Sequence, residues 1–321
     1  MFEVYRDIAF SENVAGDATT TVGTFDGVHL GHRKILEHLG IDAKSQRIRT
    51  VVTFEPHPQT VTHSHAGSLA ILTNTDEKIQ LLRSGGADRI FILKFDRKLA
   101  QLPAEDFVKS ILIKRLRTKR LVVGYNHSFG RGRAGNLEFL EAHRKRFEFE
   151  LEVVAPFYLQ GESVSSTKIR QLLLSGDVER ARHFLDRPYA LSGVVITGFG
   201  MGHQINYPTA NLKLTSPEKL VPLRGVYAVA VELERDYFPG MLNIGTRPTF
   251  GEGETTIEVH LINFVGDLYG KTIRMLFLKR LRDEKRYSSA ADLQGQLLRD
   301  RQESLNHYRE FSEQQVGSSA R

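Results

Sequence analysis

The chain has 321 residues, more than one hydrophobic core usually serves, so we expect two domains. Hydrophobic residues make up 40% and charged residues 26%, which is typical of a soluble globular protein. It contains no cysteine, which excludes disulfides, thiolate zinc sites and a cysteine nucleophile, and it has no run of about 18 apolar residues that could span a membrane. The 44 basic and 38 acidic residues leave a net charge of +6, which suits nucleic acid or anionic small molecules such as nucleotides. Residues 1–14 lack a signal pattern, so we expect a cytoplasmic protein.

The first half of the chain alternates short apolar runs with helical patterns. Four of the runs predict buried strands: Thr19–Phe25, Arg49–Glu55, Arg89–Phe95 and Arg120–Tyr125. Capped helical stretches lie between them, which implies crossover connections and a doubly wound parallel sheet with helices on both faces. We therefore predict a Rossmann-like α/β domain over residues 1–186, with ligands bound at the carboxyl ends of its strands.

From about Leu191 the pattern changes to strand-like runs at short spacing. The runs LSGVVITG, GVYAVAVELE, TTIEVHLINF and KTIRMLFLKRLR have no helical pattern between them, which predicts a closed or partly closed β-barrel over residues 187–311. An amphipathic stretch capped by Ser288 or Ser289 predicts a long helix at the end of this domain. We expect residues 312–321 to form a disordered tail.

The first predicted strand leads into GTFDGVHLGH (Gly23–His32), where two histidines stand three residues apart at a helix start. A helix N-terminus attracts phosphate, and Gly23 lets a ligand approach the backbone. His29 and His32 would share one face of the first turn and could donate hydrogen bonds to phosphate oxygens. Gly31 between them leaves room for adenine or phosphate. On this motif alone, the alternative that these residues only cap a helix remains open.

Four stretches of the first half carry a resemblance to a known family. GTFDGVHLGH, TFEPHP (Thr53–Pro58), VVGYNHSFGRGRAG (Val122–Gly135) and VSSTKIR (Val164–Arg170) resemble, in this order, the HxGH nucleotidylyltransferase domain of bacterial bifunctional riboflavin kinase/FAD synthetases. In VSSTKIR, Ser-Ser-Thr opens a helix and an arginine follows one turn later. Alone, such a stretch is more often an N-cap.

The resemblance implies adenylyl transfer from ATP to FMN, which gives FAD and pyrophosphate. The FMN phosphate is already ionised at neutral pH, so catalysis would rest on positioning and on neutralising pyrophosphate, with no general base. The catalytic residues would be His29, His32 and Arg170. The family pattern places the ATP and flavin contacts on Gly23, Phe25, Asp26, Gly31, Asn126, Ser165, Ser166 and Thr167. The chain departs from the family's Asp-Phe-Arg-Phe-Gly form at Asn126-His127-Ser128.

The second half opens with GFGMGHQINYPTANL, a glycine-rich turn followed by Pro-Thr-Ala-Asn. Its glycines could let backbone N–H groups surround a phosphate, namely Gly198, Gly200 and Gly202. In an extended segment Thr209 and Asn211 point to the same side and could offer oxygens to a hard cation such as Mg²⁺. The alternative is a barrel turn with glycines at its bends.

The motifs of the second half resemble the riboflavin kinase module of the same family, in its order. They are PTAN, GVYAV, NIGTRPTF, IEVHLINF, DLYG and LRDEKRY. The resemblance places Asn243 in the nucleotide site and makes Glu258 the base that accepts the proton of the ribityl hydroxyl. Strand alternation agrees, because Glu258 and His260 face away from the apolar side of their run. The chain departs from the family form at Met201 and Asn206.

The resemblance covers about Thr21 to His307 and predicts an enzyme that makes FMN from riboflavin and then FAD from FMN. ATP would be the co-substrate and Mg²⁺ the cofactor in both steps. We expect no nucleic-acid or membrane partner, and a monomer or weak homo-oligomer. Two alternatives remain: an HxGH enzyme acting on RNA, which the positive charge favours, and a regulator that binds flavin or nucleotide without catalysis.

Overall fold

The computed structural model describes residues 2–6, 14–41, 46–62, 69–197, 207–247 and 254–319. The chain divides into two compact units, Met1–Ser166 and Thr167–Arg321. None of the helices in the described part of the chain is long and apolar enough to cross a membrane.

The first unit is an α/β structure. Its strands are β1 (Glu3–Arg6), β2 (Ala18–Val22), β3 (Ile48–Glu55), β4 (Arg89–Lys94), β5 (Thr118–Gly124), β6 (Glu150–Val154), β7 (Tyr158–Leu159) and β8 (Glu162–Ser163). Its helices are α1 (Leu30–Leu39), α2 (Pro58–Thr62), α3 (Thr75–Ser84), α4 (Arg97–Ala100), α5 (Ala104–Asp106) and α6 (Leu137–His143), with a π-helix at Phe107–Arg115 and a 3₁₀ turn at Arg131–Arg133.

The strands β1 to β6 form a parallel sheet in the order β1-β4-β3-β2-β5-β6, and β7 and β8 form a separate antiparallel pair. Alternate residues of the central strands feed two cores: Val51 and Ile90 pack beneath α1 and α3, while Val52 and Phe91 pack against the π-helix on the other face. The predicted doubly wound sheet is therefore confirmed. The chain reverses its winding between β2 and β5, the place where such sheets bind ligands.

The second unit contains a closed barrel in the order β10-β13-β12-β11-β14-β9. Its strands are β9 (Ala190–Ile196), β10 (Ala210–Leu214), β11 (Gly225–Leu233), β12 (Asp236–Arg247), β13 (Glu254–Leu261) and β14 (Thr272–Arg282). Three helices belong to this part of the chain, namely α7 (Ser166–Leu174), α8 (Val178–Leu185) and α9 (Ala290–Ser319). Phe311 of α9 packs on the outer face of β11 beside Ala230. The predicted barrel with its long helix is confirmed.

Several elements differ from the sequence prediction. The edge strands β1 and β6 were not predicted, because both carry charged, partly exposed residues that weaken the apolar signal. β10 and β12 were also missed as strands. Ser289 caps α9 by accepting the Asp292 N–H at 3.1 Å, as predicted.

We expected residues 312–321 to form a disordered tail. This prediction is wrong for residues 312–319, because α9 continues through Ser319. Glu and Gln favour the helix there, and Arg182 donates a hydrogen bond to the Gln314 side chain.

Candidate active sites

The turn after β2 is built around left-handed backbone. Phe25, Gly27 and Val28 have φ angles of 49°, 84° and 37°. Such angles strain a residue that carries a Cβ, so the surrounding structure must hold the turn. The Gly27 N–H donates to the Thr73 hydroxyl at 3.0 Å, which is one of these supports.

Asp26 is the main anchor of this turn. Its carboxylate is 1% exposed and accepts the backbone N–H groups of Leu72 at 2.9 Å and Thr73 at 3.1 Å. The Phe25 ring is buried in the core, with its edge toward the His32 ring at 5.1 Å between centroids. We expected the side chains of Phe25 and Asp26 to contact the nucleotide. Both instead face the protein interior and hold the turn from that side.

The two histidines of the motif stand together. The rings of His29 and His32 are stacked, with centroids 3.7 Å apart and planes inclined by 15°. The Nδ1 atom of His29 accepts the His32 backbone N–H at 3.3 Å, which places the proton of a neutral His29 ring on Nε2. His29 thus caps α1 through Nδ1, and its Nε2–H is a hydrogen-bond donor, so capping of the helix does not exclude the predicted phosphate contact.

Gly31 makes room for this pair. A Cβ at position 31 would lie 3.2 Å from the His29 ring and 3.4 Å from the Val164 carbonyl oxygen. The space that the sequence assigned to adenine or phosphate is thus partly taken by the histidine ring. Gly23 has the same relation to the Phe25 ring, at 3.1 Å.

The motif at the end of the first unit reaches the turn after β2. The Ser166 hydroxyl donates to the Asp26 carbonyl oxygen at 2.8 Å, across 140 residues of sequence. Ser165 precedes α7, whose later residues Thr167 and Arg170 belong to the second unit. The structure therefore joins two of the predicted phosphate motifs directly through Ser166.

The loop after β5 lies at the same edge of the sheet, because β5 is the neighbour of β2. Asn126 is exposed there, and Phe129 anchors the loop by packing on Phe107 with centroids 5.1 Å apart. The His127 Nε2 atom is buried and has no hydrogen-bond partner in the described part of the chain. Burial lowers the pKa of His127 from 6.5 to about 4. The imidazole is therefore neutral at physiological pH.

In the second unit, cross-strand pairing collects the predicted polar residues. Asn211 of β10 pairs with Glu258 of β13, which in turn pairs with Asn243 of β12. Residues directly opposite in a sheet point to the same face, so the three side chains form a row across adjacent strands. The Thr209 hydroxyl lies 3.5 Å from the Glu258 carboxylate and extends the row.

This row lies on the outer face of the barrel. Asn243 pairs with Val226 of β11, so the side chains of these two residues lie on the same face of the barrel. Ala230 lies four residues further along β11 on that face and packs beneath α9. The predicted alternation is confirmed, because Ile257 and Val259 are buried while Glu258 is half-buried. Glu258 is not fully buried, because the outer face of the barrel leaves it partly open to solvent.

His260 and Glu284 support the row from its two sides. The His260 Nδ1 atom lies 2.8 Å from the Pro208 carbonyl oxygen and holds the Tyr207–Thr209 segment, and burial lowers the pKa of His260. The Asn243 amide donates to the Glu284 carboxylate at 3.2 Å. A Cβ at Gly245 would overlap that carboxylate. Gly198, Gly200 and Gly202, with Met201 and Asn206, lie outside the described residues.

The donors of this row suit a hard cation. A hydroxyl, an amide oxygen and a carboxylate are oxygen ligands of the kind that Mg²⁺ takes together with substrate phosphates. Within the described residues, no group of three or more His, Cys, Asp or Glu side chains could hold a metal ion. A cation at this row would therefore also need substrate phosphates as ligands.

Sequence reasoning missed three residues of these sites. They are Lys78, His127 and Glu284. Lys78 is a buried residue of α3, and the other two lie inside longer motifs from which they were not singled out. Lys78 could have been found as a lysine on the apolar face of a helix, and Glu284 as a conspicuous acid in LRDEKRY. His127 carried only its departure from the family pattern as a signal.

Both units of the chain are similar to known proteins. The family model described as FAD synthetase matches residues 11–168, and the one described as riboflavin kinase matches residues 185–308. The "Bifunctional riboflavin kinase/FMN adenylyltransferase" of Escherichia coli K12 is 37% identical over 282 residues, which cover 87% of this chain and 89% of the relative. The protein of the same name from Haemophilus influenzae is 35% identical, covering 93% of this chain and 96% of the relative.

A solved structure also matches along most of the chain. It is described as the crystal structure of a macrolide-efflux protein from Streptococcus pneumoniae. The match has a TM-score of 0.87 at 29% identity and covers 94% of this chain and 99% of the other.

Proposed function

Because the chain belongs to the bifunctional riboflavin kinase/FMN adenylyltransferase family, we propose that its two reactions use separate groups of polar residues, one around His29 and one around Glu258. The protein is an enzyme that phosphorylates riboflavin with ATP to give FMN and adenylylates FMN with ATP to give FAD. We place the adenylyltransferase domain at residues 1–186 and the kinase domain at 187–311. The RNA-acting enzyme and the non-catalytic regulator are set aside by the family assignment.

In the kinase, Glu258 is the general base. It accepts the proton of the ribityl hydroxyl as that oxygen attacks the γ-phosphate of ATP. The row of Asn211, Glu258 and Asn243 is the observation that carries this proposal, because it puts one carboxylate between two amides on a solvent-accessible face. Asn243 contributes to the nucleotide site beside this base. The glycines at 198, 200 and 202 form the phosphate loop.

Thr209 and Asn211 hold Mg²⁺ in the kinase. Their oxygens stand beside Glu258 and leave the remaining positions of the ion to ATP phosphates and water. The ion supplies neutralisation of phosphate charge when bound. In both reactions the cofactor is Mg²⁺.

In the adenylyltransferase, His29 and His32 stabilise the α-phosphate during transfer and neither accept nor give up a proton. The stacked rings and the Nε2–H of His29 support this role, because an N–H donor can follow the growing charge on a phosphate oxygen. Arg170 neutralises the leaving pyrophosphate. No general base is required, since the FMN phosphate attacks as an anion.

The other contacts of the adenylyltransferase divide by substrate. Ser165 and Thr167 bind the ATP phosphates, while Gly23 and Gly31 contribute by leaving room for the Phe25 and His29 rings. Ser166 contributes through its bond to the Asp26 carbonyl oxygen, which fixes the turn beside the histidines. Asn126, exposed at the neighbouring strand end, binds the flavin nucleotide.

A reciprocal pair of variants tests the assignment of the two sites. Glu258→Ala should reduce FMN formation from riboflavin by at least about 100-fold, because a positioned base contributes 10²–10⁴ in rate. It should leave FAD formation from supplied FMN unchanged. His29→Ala should lose FAD formation and retain FMN formation. Chromatography of the flavins after incubation with ATP and Mg²⁺ measures both products.

The two variants control each other, since each retains one activity as proof of a folded unit. Loss of both activities in either folded variant would show that the sites are not separate. Wild-type protein that accumulates FMN without FAD would contradict the adenylyltransferase assignment alone.

We further propose a cytoplasmic enzyme that acts as a monomer or weak homo-oligomer on small molecules and binds no nucleic acid. The positive net charge is then matched to the phosphates of ATP and FMN. Tight, salt-sensitive binding of tRNA would contradict this proposal, because phosphate-backbone binding falls steeply with salt.

A further inference from the structure

Lys78, on the first turn of α3, is a buried titratable group that the proposed mechanism does not use. The residue is 6% exposed. Lysine is rarely buried to this extent without a partner or a task, since withdrawing an ammonium group from water is costly. Burial lowers the pKa of Lys78, and the negative charges of Asp26 and Glu55 act in the opposite direction.

The Lys78 ammonium group begins a short chain of hydrogen bonds. Its Nζ atom donates to the Phe54 carbonyl oxygen at 3.3 Å and to the Thr53 hydroxyl at 3.4 Å. The Thr53 hydroxyl in turn donates to the Thr24 carbonyl oxygen at 3.1 Å. The chain of bonds therefore runs from α3, across the carboxyl end of β3, to the turn after β2.

The same turn is held a second time by the residues just before α3. The Leu72 and Thr73 N–H groups bind the Asp26 carboxylate, and the Thr73 hydroxyl binds Gly27. The segment 72–78 thus holds both sides of a turn whose left-handed backbone needs support. His29 follows this turn directly, so the position of its ring depends on the position of the turn.

We propose that Lys78 is a positioning residue for adenylyl transfer, whose ammonium group, through Thr53, holds the turn at residues 24–27 so that His29 meets the ATP phosphates correctly. This inference rests on the proposed role of His29. It adds a group that touches neither substrate, because its hydrogen bonds are directed at Thr53 and Phe54 and the residue is buried.

Replacement of Lys78 by methionine, which keeps the length of the side chain and removes its donors, tests the proposal. For Lys78→Met we expect kcat of FAD formation to fall about 10- to 100-fold, the range that a small misplacement of reacting groups costs. The KM values for FMN and ATP should stay within about twofold, since the lost interaction acts on the transition state. Lys78→Gln keeps an N–H donor and should retain several-fold more activity than Lys78→Met.

A second buried lysine provides the matched control. Lys219 lies in the other unit and donates to the Ala190 carbonyl oxygen at 2.8 Å, so Lys219→Met makes the same change away from the turn and should leave FAD formation unchanged. Wild-type kcat in Lys78→Met would overturn the proposal. So would equal losses in Lys78→Met and Lys78→Gln with a lowered melting temperature, because Lys78 would then only stabilise the fold. Absence of FAD formation in the wild type would instead contradict the proposed function.

Discussion

Burial sets the protonation state of His127 and so links this single residue to the pH dependence of stability. Its pKa of about 4 in the folded chain lies below the usual 6.5. Between these values the unfolded chain binds a proton that the folded chain does not, so stability falls as the pH drops from 6.5 to about 4. The imidazole packs near the Phe129 ring, with centroids 5.5 Å apart, and burial there disfavours its protonated form.

His127→Phe should remove this acid-sensitive contribution, since the new ring has no proton to gain. We expect the melting temperature of the wild type to fall more steeply than that of His127→Phe between pH 6.5 and pH 4. Thermal unfolding monitored by circular dichroism across this range measures the difference. Parallel curves for the two proteins would show that another group dominates the acid sensitivity.

At the scale of elements, the kinase cluster depends on which strands are neighbours. β12 lies between β11 and β13, and this order brings Asn243 beside Glu258. The segment after β14 then returns to place Glu284 against the Asn243 amide. This approach is possible because position 245 of β12 carries no Cβ.

Gly245→Ala should displace the Glu284 carboxylate and leave the Asn243 amide without its acceptor. A hydrogen bond to a charged group contributes about 1.5–3 kcal/mol, so we expect FMN formation to slow by about 10-fold or more. Glu284→Ala should have a similar effect, while Glu284→Gln, which keeps an acceptor oxygen, should be milder. FAD formation from supplied FMN is the internal control. Unchanged kinase kinetics in Gly245→Ala would exclude a role for this contact.

At the scale of the whole molecule, one chain carries two ATP-dependent reactions with different demands on its side chains. The first unit has two stacked imidazoles beside a firmly held turn, whereas the second has a carboxylate, the proposed base, beside amide and hydroxyl groups. The two reactions should therefore respond differently to the metal concentration when the kinase cluster alone is altered.

Removal of Mg²⁺ with EDTA should stop both reactions, and added Mg²⁺ should restore both, if the ion holds the ATP phosphates in each as we propose. In Asn211→Ala, the Mg²⁺ concentration that gives half the maximal rate of FMN formation should rise several-fold, since one oxygen donor is lost. The Mg²⁺ requirement for FAD formation should not change. Titration of Mg²⁺ in the two assays measures both values, and equal shifts would contradict a kinase-specific site.

The family, both reactions, the parallel sheet and the barrel were predicted correctly from the sequence alone. Those properties depend on local patterns: strand and helix periodicity, and motifs such as GTFDGVHLGH whose order is preserved along the chain. The sequence also predicted the correct faces of β13, because alternation is a property of the strand itself.

Which of these residues come into contact could be learned only from the folded structure. The bond from Ser166 to Asp26, the row from Asn211 through Glu258 to Asn243, and the burial of Lys78 all join residues far apart in sequence. Strand register and long-range side-chain contacts arise when separate elements pack, and no local periodicity encodes them. The residues proposed to act on substrate were therefore predicted from sequence motifs, while the long-range contacts of Lys78 and Glu284 could be identified only from the folded structure.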